Sequence, residues 1–82
     1  MNIDVIIPAH NEEALLGKTL TALSLIDEIS SIIVVDDGSS DNSKEIINIF
    51  QSQIKAIYLK HQGASQSRNV GIENSGGEFV AL

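Results

Sequence analysis

The sequence predicts an α/β protein in which parallel strands alternate with helices. Four short apolar segments are separated by three longer segments with helical character, which is the pattern of repeated strand–helix–strand units. The second apolar segment, residues 32–35, has four β-branched residues in a row and lacks the alternation of a half-exposed strand. Such strands are typical of a parallel sheet that is covered on both faces.

The first strand is predicted over residues 3–7 and is expected to end at Pro8, because proline cannot donate to a sheet ladder. Asn11 is the predicted N-cap of the first helix, and the acids Glu12 and Glu13 in the first turn favour the helix dipole. Three leucines at helical spacing predict the buried side of this helix: Leu16, Leu20 and Leu23.

The second strand is predicted over residues 31–36, and Gly38 with Ser39 should turn the chain after it. Ser40 or Asp41 can then cap a second helix over residues 41–51. Three side chains of this helix are expected to face inward: Ile46, Ile49 and Phe50.

The third strand is predicted over residues 55–60, the third helix over residues 64–74 and the fourth strand over residues 78–82. Gly71 within the third helix predicts a close approach of that helix to the sheet. Because the alternation is strict, we expect right-handed crossovers and a Rossmann-like half-sheet of strand order 3-2-1-4, with helices on both faces. The carboxyl ends of strands one and two would then flank the ligand-binding crevice.

Composition limits the classes of function. The 82 residues make one small domain or part of one, and the net charge of −6 disfavours binding to nucleic acid or to an anionic membrane surface. The absence of cysteine excludes disulfides and thiolate metal sites. No apolar stretch approaches the length of a membrane span and no secretory signal is recognisable, so the cytoplasm or the cytoplasmic face of a membrane is the expected location.

The chain ends within an apolar segment, residues 79–82. A sheet edge without a partner exposes unpaired backbone groups. We therefore expect the sequence to be the N-terminal portion of a larger domain, and this edge to be a surface for self-association.

Two adjacent carboxylates, Asp36 and Asp37, follow the second strand at the carboxyl edge of the sheet. They are suited to accept hydrogen bonds from ribose hydroxyls or from a nucleobase N–H. The structural alternative is an Asx-turn followed by a helix cap. Polar segments after strand one (residues 8–13) and after strand three (residues 63–71) should meet the pair at the same edge, which favours ligand binding.

Three segments taken together resemble the family 2 glycosyltransferases, which are inverting enzymes with the GT-A fold. The segments are residues 5–12 (VIIPAHNE), 32–41 (IIVVDDGSSD) and 67–71 (SRNVG), in the order and spacing of that family. The family usually has alanine before the arginine of the third segment, and Ser67 replaces it here. A dinucleotide-binding dehydrogenase is rejected, because the first strand is not followed by a G-x-G-x-x-G loop.

The resemblance implies a role in donor binding for six residues: Pro8, Ala9, Glu12, Asp36, Asp37 and Arg68. Pro8 and Ala9 would contact the base and ribose, and Glu12 would face the ribose. Asp37 would accept the imide N–H of uracil, Asp36 would support it, and Arg68 would lie over the base pocket or against the acids.

Structural alternatives stay open for two of these residues. Glu12 can serve only the helix dipole. Arg68 can be a surface residue or the structural partner of the buried acids. His10 and His61 are isolated in the sequence, so no metal is assigned to them.

The resemblance further implies a nucleotide-diphospho-sugar donor, with uridine as the expected nucleoside, and a saccharide, lipid or other hydroxyl acceptor. The D-x-D acids of the family, which hold Mn²⁺ or Mg²⁺ and the diphosphate, would follow Leu82, and so would the general base. No catalytic residue is therefore assigned, and residues 1–82 are expected to bind the nucleoside without transferring sugar by themselves. The alternative is a non-catalytic nucleotide-binding or interaction module.

Overall fold

The computed structural model describes residues 3–82 as four strands and three helices in strict alternation. In chain order they are β1 (Ile3–Ala9), α1 (Glu13–Leu23), β2 (Ile29–Asp37), α2 (Ser43–Ile49), β3 (Lys55–Leu59), α3 (Ala64–Glu73) and β4 (Glu78–Ala81). The strands form one sheet of order β3-β2-β1-β4, and all three neighbouring pairs are parallel. The predicted α/β fold and strand order are confirmed.

Apolar side chains of the two central strands alternate between the faces of the sheet, and each face is covered. Val5, Ile7, Ile32 and Val34 pack on one face against residues of α1 and α2. The other face carries a smaller cluster, formed by Ile6, Ile33 and Val35, against which Val70 and Ile72 of α3 pack. Both central strands are therefore buried on both sides, as their unbroken apolar runs predict.

Strand β1 continues through Pro8 to Ala9, so the prediction that it ends before Pro8 is wrong. Pairing with β4 stops at the partners Ile6 and Ala81. The carbonyl of Ile6 faces this side, where it accepts a hydrogen bond from the backbone N–H of Leu82 (2.9 Å). Successive residues of a strand direct their N–H and C=O groups to opposite neighbours, so Pro8, two residues after Ile6, also faces the β4 side. Because the pairing with β4 has already stopped, no hydrogen bond of the sheet requires the N–H that proline lacks.

Helix α2 is shorter than predicted and buries a different isoleucine. Ile47 is fully buried, whereas Ile49 is exposed, so the expectation that Ile49 faces inward is wrong. Ser43, Ile47 and Phe50 lie at spacings of four and three residues and form the side that meets the core. Ile46 also packs against this core, as predicted.

Helix α3 lies close to the sheet at Gly71. A Cβ atom added there would collide with Cγ2 of the fully buried Ile6 and meet Cγ2 of Val35 at 3.4 Å. Ser67, one turn earlier, is also fully buried, and its hydroxyl has no hydrogen-bond partner within residues 3–82. None of the described helices is long and apolar enough to cross a lipid bilayer.

Candidate functional site

A pocket of about 220 Å³ opens at the carboxyl ends of β1 and β2, next to the point between β1 and β4 where the winding of the sheet reverses. Its lining consists of seven residues from three loops and the strands before them: Pro8, Ala9, His10, Glu12, Asp37, His61 and Ala64. Four of the six predicted site residues, Pro8, Ala9, Glu12 and Asp37, thus meet at one place. Open α/β sheets bind ligands at this position.

Asp37 is the buried acid of the pocket. Its side chain is almost inaccessible to solvent, and its two oxygens accept hydrogen bonds from the backbone N–H groups of Gln62 and Gly63, both at 2.8 Å. These bonds fasten the loop between β3 and α3 to the end of β2. Gly38 allows this approach, because a Cβ atom there would lie 2.8 Å from the backbone nitrogen of His61.

The pKa of Asp37 lies below the usual value for aspartate. Burial by itself would raise this pKa, but the hydrogen bonds from the Gln62 and Gly63 backbone and the nearby charges of His61 and His10 together outweigh burial. The carboxylate is therefore ionised at neutral pH. It can only accept hydrogen bonds, so it selects ligand groups that donate.

His10 and His61 form a ring pair beside Asp37, which the sequence-based interpretation missed. Their ring centroids lie 4.4 Å apart, with 33° between the planes. His10 Nδ1 donates to the backbone carbonyl of Asp37 (2.7 Å), and His61 Nδ1 lies 3.2 Å from the Asp37 carboxylate and 3.4 Å from the same carbonyl. Both histidines follow strand ends, so the rule that indicated Asp37 could have indicated them as well.

Asp36 is fully buried but does not line the pocket. One of its oxygens accepts a short hydrogen bond from the Ser39 hydroxyl, and the other lies 3.4 Å from the Ser39 backbone nitrogen. Ser39 lies three residues after Asp36, one more than in an Asx-turn, so Asp36 holds the turn without forming the motif of the structural alternative. Asp36 shapes the turn that follows Asp37.

The β1–α1 and β2–α2 loops are fastened together by hydrogen bonds. Three consecutive backbone N–H groups donate to side chains of the second loop: Asn11 to Ser39 (2.9 Å), Glu12 to Ser43 (2.9 Å) and Glu13 to Asp41 (3.2 Å). In return, Asn11 Oδ1 accepts from the backbone N–H groups of Ser40 (2.8 Å) and Asp41 (3.3 Å).

These contacts correct the predicted capping of α1. Glu12 occupies the N-cap position, and its side chain makes no capping hydrogen bond. Asn11 lies before the helix at φ 53°, a left-handed conformation that asparagine tolerates better than most residues. The unpaired N–H groups of a helix start need acceptors, and here the second loop supplies them. For α2, the N-cap is Asn42, so the prediction that Ser40 or Asp41 caps this helix is wrong. Asp41 Oδ1 instead accepts from the Ser43 backbone N–H two residues on (2.9 Å), which is an Asx-turn before the helix.

Arg68 is half-buried on α3 and does not line the pocket. It follows the pocket residue Ala64 by one helical turn. Asp37 lies two residues after Val35 in β2, so both side chains point to the face of the sheet that α3 covers. Arg68 therefore lies near the pocket, on the same face of the sheet as the Asp37 side chain. Within residues 3–82, it makes no hydrogen bond or ion pair with the acids.

A second cavity, of about 320 Å³, lies elsewhere, around the C-terminal end of α1 and the first residues of β2. It is lined by apolar and uncharged polar residues and contains no titratable side chain. Two described pockets lie at the carboxyl edge, and the one lined by Asp37 combines concavity with a buried ionised group.

The described residues do not fit the Mn²⁺ or Mg²⁺ ion that the resemblance implies. Such ions prefer several oxygen ligands. In the part of the chain that the structure describes, the group of three potential metal ligands is His10, Asp37 and His61, which offers two nitrogens and one oxygen. Both oxygens of Asp41 are already engaged by backbone N–H groups.

Sequence comparison identifies the family. Residues 4–82 match the family described as Glycosyl transferase family 2. The chain is 39% identical over 91 residues to the uncharacterized glycosyltransferase YibD of Escherichia coli (strain K12), covering 98% of this chain and 24% of that protein. It is 35% identical over 85 residues to glycosyltransferase GlyG of Streptococcus pneumoniae serotype 4, covering 98% and 28%. The chain belongs to glycosyl transferase family 2, and it spans about a quarter of the length of these relatives.

Solved structures show the same fold. S. aureus TarS 1-349 in complex with UDP-GlcNAc matches with a TM-score of 0.84 and 29% identity, over 99% of this chain and 26% of that chain. The mannosyltransferase PcManGT from Pyrobaculum calidifontis, in complex with GDP-Man and Mn²⁺, matches with a TM-score of 0.82 over 92% and 24%. Its identity of 19% supports the fold alone. The predicted GT-A fold is confirmed.

Proposed function

We propose that residues 1–82 form the nucleoside-binding portion of an inverting glycosyltransferase that transfers a hexose from a nucleotide-diphospho-sugar to an acceptor hydroxyl. The expected donor nucleotide is uridine diphosphate. The observation that carries this proposal is the pocket at Asp37, which lies at the ligand-binding edge of a fold shared with TarS, a protein solved with UDP-GlcNAc.

The size of the pocket supports recognition of one part of a ligand. Complete ligand sites have volumes of about 300–1,000 Å³, whereas this pocket measures about 220 Å³. A nucleobase is such a part. A neighbouring pocket of about 190 Å³ shares Pro8, Ala9 and Glu12 with it and leaves room next to the base for the ribose.

Asp37 keeps the capacity to bind the base although its oxygens already accept backbone hydrogen bonds. Each carboxylate oxygen has two lone pairs; the bonds from Gln62 and Gly63 use one on each oxygen, His61 Nδ1 lies against Oδ2 (3.2 Å), and the second lone pair of Oδ1 remains. The remaining capacity suits the imide N–H of uracil, which is a donor. The backbone bonds also fix the carboxylate, so a ligand need not order it.

The other predicted residues differ in how directly they would contact the ligand. Pro8, Ala9 and Glu12 line the pocket and would contact the base and ribose. Asp36 acts through the turn it forms with Ser39, and not by touching the ligand. Arg68 would reach the pocket rim from α3 when the nucleotide is bound.

The cation and the acceptor belong to the same proposal. Mn²⁺ or Mg²⁺ would be held by the D-x-D acids of the family, expected after Leu82, and would stabilise the leaving diphosphate. We expect the reaction in the cytoplasm or at the cytoplasmic face of a membrane.

The exposed side chains Phe79 and Val80 of β4 favour self-association through that edge of the sheet.

The proposal is tested by titrating the protein calorimetrically with UDP and with UDP methylated at N3 of uracil. The methyl group removes the imide donor, so the wild-type protein should bind the methylated nucleotide about tenfold to a hundredfold more weakly. The variant Asp37→Ala should bind UDP more weakly by a similar factor and should no longer distinguish the two nucleotides.

Asp27→Ala is the matched control, because it removes an exposed carboxylate outside the pocket. It should leave both affinities unchanged. Thermal unfolding of Asp37→Ala checks that the variant is folded when it is titrated. Equal affinity of the wild-type protein for UDP and its N3-methyl form would overturn the role proposed for Asp37, whether or not the variant folds.

A further inference from the structure

The potential ligand atoms of His10, Asp37 and His61 all lie within 4.8 Å of one another. We propose that these three residues form a binding site for a transition-metal dication of the zinc type, separate from the Mn²⁺ or Mg²⁺ ion expected to hold the diphosphate. The site does not depend on the proposed function, because it rests only on the residues that surround the pocket.

The distances are close to those of a metal-bound group. Zinc binds histidine nitrogen and carboxylate oxygen at about 2.0–2.2 Å, so two ligand atoms of a tetrahedral site lie about 3.4 Å apart. His61 Nδ1 lies 3.2 Å from Asp37 Oδ2, already at this separation. Only a small movement of the exposed His10 ring would complete a three-ligand arrangement with an open fourth position.

The charge and the supporting contacts also favour a cation. Asp37 is buried, so solvent screens the charge of its carboxylate poorly. The backbone N–H groups of Gln62 and Gly63 hold its carboxylate in place. Outer contacts of this kind orient metal ligands in established metal sites.

Binding requires a change of histidine tautomer. In the metal-free protein, His10 Nδ1 donates its hydrogen to the Asp37 carbonyl oxygen at 2.7 Å. A cation bound to the two Nδ1 atoms requires both atoms to be free of hydrogen: the proton of a neutral ring moves to Nε2, and a protonated ring releases one proton to solvent. The carbonyl oxygen, within 3.4 Å of both nitrogens, loses these hydrogen bonds and is then available for the open fourth position.

The ligand set favours zinc-type ions over magnesium. Imidazole nitrogens suit Zn²⁺, Cu²⁺ and Ni²⁺, whereas Mg²⁺ demands octahedral oxygen coordination. These 82 residues contain two histidines and no cysteine. A zinc site with two imidazole ligands within them must therefore use both His10 and His61, which makes the proposal simple to test.

The test titrates untagged protein with Zn²⁺ by calorimetry, without nucleotide, so that its outcome is independent of the proposed function. We expect one ion per chain and no competition from excess Mg²⁺. The variants His10→Gln and His61→Gln should each bind Zn²⁺ about tenfold more weakly or worse, and the double variant should lose the site. Asp27→Asn, which removes a distant exposed carboxylate, should bind like the wild-type protein.

A spectroscopic readout on the wild-type protein keeps the test independent of how the variants fold. Co²⁺ in a four-coordinate site with nitrogen and oxygen ligands absorbs visible light far more strongly than the hydrated ion, and Zn²⁺ should abolish this absorption by displacement. Wild-type binding of Zn²⁺ that the double variant retains, or a Co²⁺ spectrum equal to that of the hydrated ion, would overturn the proposal.

Discussion

Gly71 is a residue at which helix α3 lies close to the sheet, with no room for a Cβ atom. We predict that Gly71→Ala lowers the free energy of unfolding by about 1–3 kcal/mol, because Ile6 is fully buried and cannot move away from an added methyl group. Urea denaturation measures the change. Gly76→Ala is the control, since a Cβ atom at Gly76 meets nothing within 4 Å. Equal stability of the two variants would show that α3 can shift.

Asp4 is a buried acid at the end of the sheet opposite the pocket. The hydrogen bonds from the Ser31 hydroxyl (2.7 Å), the Gly76 backbone (3.0 Å) and the Ser75 hydroxyl (2.9 Å) lower its pKa, and burial opposes them only in part. This residue fastens the turn between α3 and β4 to β1. Its role is structural, and the sequence interpretation did not assign one to it.

The lowered pKa of Asp4 determines the sign of a pH effect. Unfolded aspartate has a pKa of about 3.9, so below that value the unfolded chain binds a proton that the folded protein excludes. The stability contributed by Asp4 is therefore present above about pH 4 and is lost as the pH falls through the folded pKa. We predict that Asp4→Asn is less stable than the wild-type protein at pH 7.

The difference between Asp4→Asn and the wild-type protein should shrink as the pH is lowered below about 4. Urea denaturation at a series of pH values gives this difference directly. Asp27→Asn, at an exposed position, controls for the loss of one negative charge. A difference in stability that stays constant from pH 7 to acid would contradict the assignment.

At the scale of the elements, the start of α1 depends on the loop after β2. Asn11 receives two backbone hydrogen bonds from that loop and adopts φ 53°. We predict that Asn11→Ala destabilises the protein by about 1–2 kcal/mol through the lost hydrogen bonds and the unfavourable conformation. It should also weaken UDP binding, because His10 and Glu12 flank Asn11 in the pocket wall.

Asn11→Gly separates the two causes. Glycine adopts a positive φ without strain but supplies no side-chain acceptor. This variant should therefore lose only the part of the stability that the hydrogen bonds contribute. Denaturation of both variants measures the two parts, and an Asn11→Ala protein as stable as the wild type would show that the loops do not depend on this side chain.

At the scale of the whole molecule, our proposal assigns the described residues to binding the nucleoside and not to the transfer step. Within residues 3–82, no oxygen-rich group suits a diphosphate-bound Mn²⁺ or Mg²⁺. Inverting transfer also needs a base to deprotonate the acceptor hydroxyl. Asp37 is assigned to the nucleobase in our proposal, and its lowered pKa makes it a weak proton acceptor.

We therefore predict that the 82-residue chain binds UDP but does not transfer sugar. Purified chain is incubated with UDP-sugars, a hydroxyl acceptor and Mn²⁺ or Mg²⁺, and released UDP is measured against a reaction without protein. Binding without turnover is the expected result for a nucleoside-binding portion and for the non-catalytic alternative alike. Metal-dependent release of UDP above the uncatalysed rate would show that the catalytic acids lie within this chain.

The sequence alone determined the architecture and the location of the site. Unbroken apolar strands that alternate with helical segments permit few topologies, because parallel strands require crossovers and crossovers have one hand. The rule that ligands bind at the carboxyl ends of strands then located Asp37, Pro8, Ala9 and Glu12 at one edge. Both inferences depend on the pattern of residues that are close together in the chain, and this pattern can be read directly from the sequence.

Only the tertiary structure decided which of these residues form the pocket and which support it. Asp36 and Asp37 are adjacent in sequence, yet successive residues of a strand point to opposite faces, so one forms a turn and the other lines the pocket. His10 and His61 come together because two distant loops end at the same edge. Contacts between loops depend on how crossovers place them in space, and no local pattern in the chain encodes that distance.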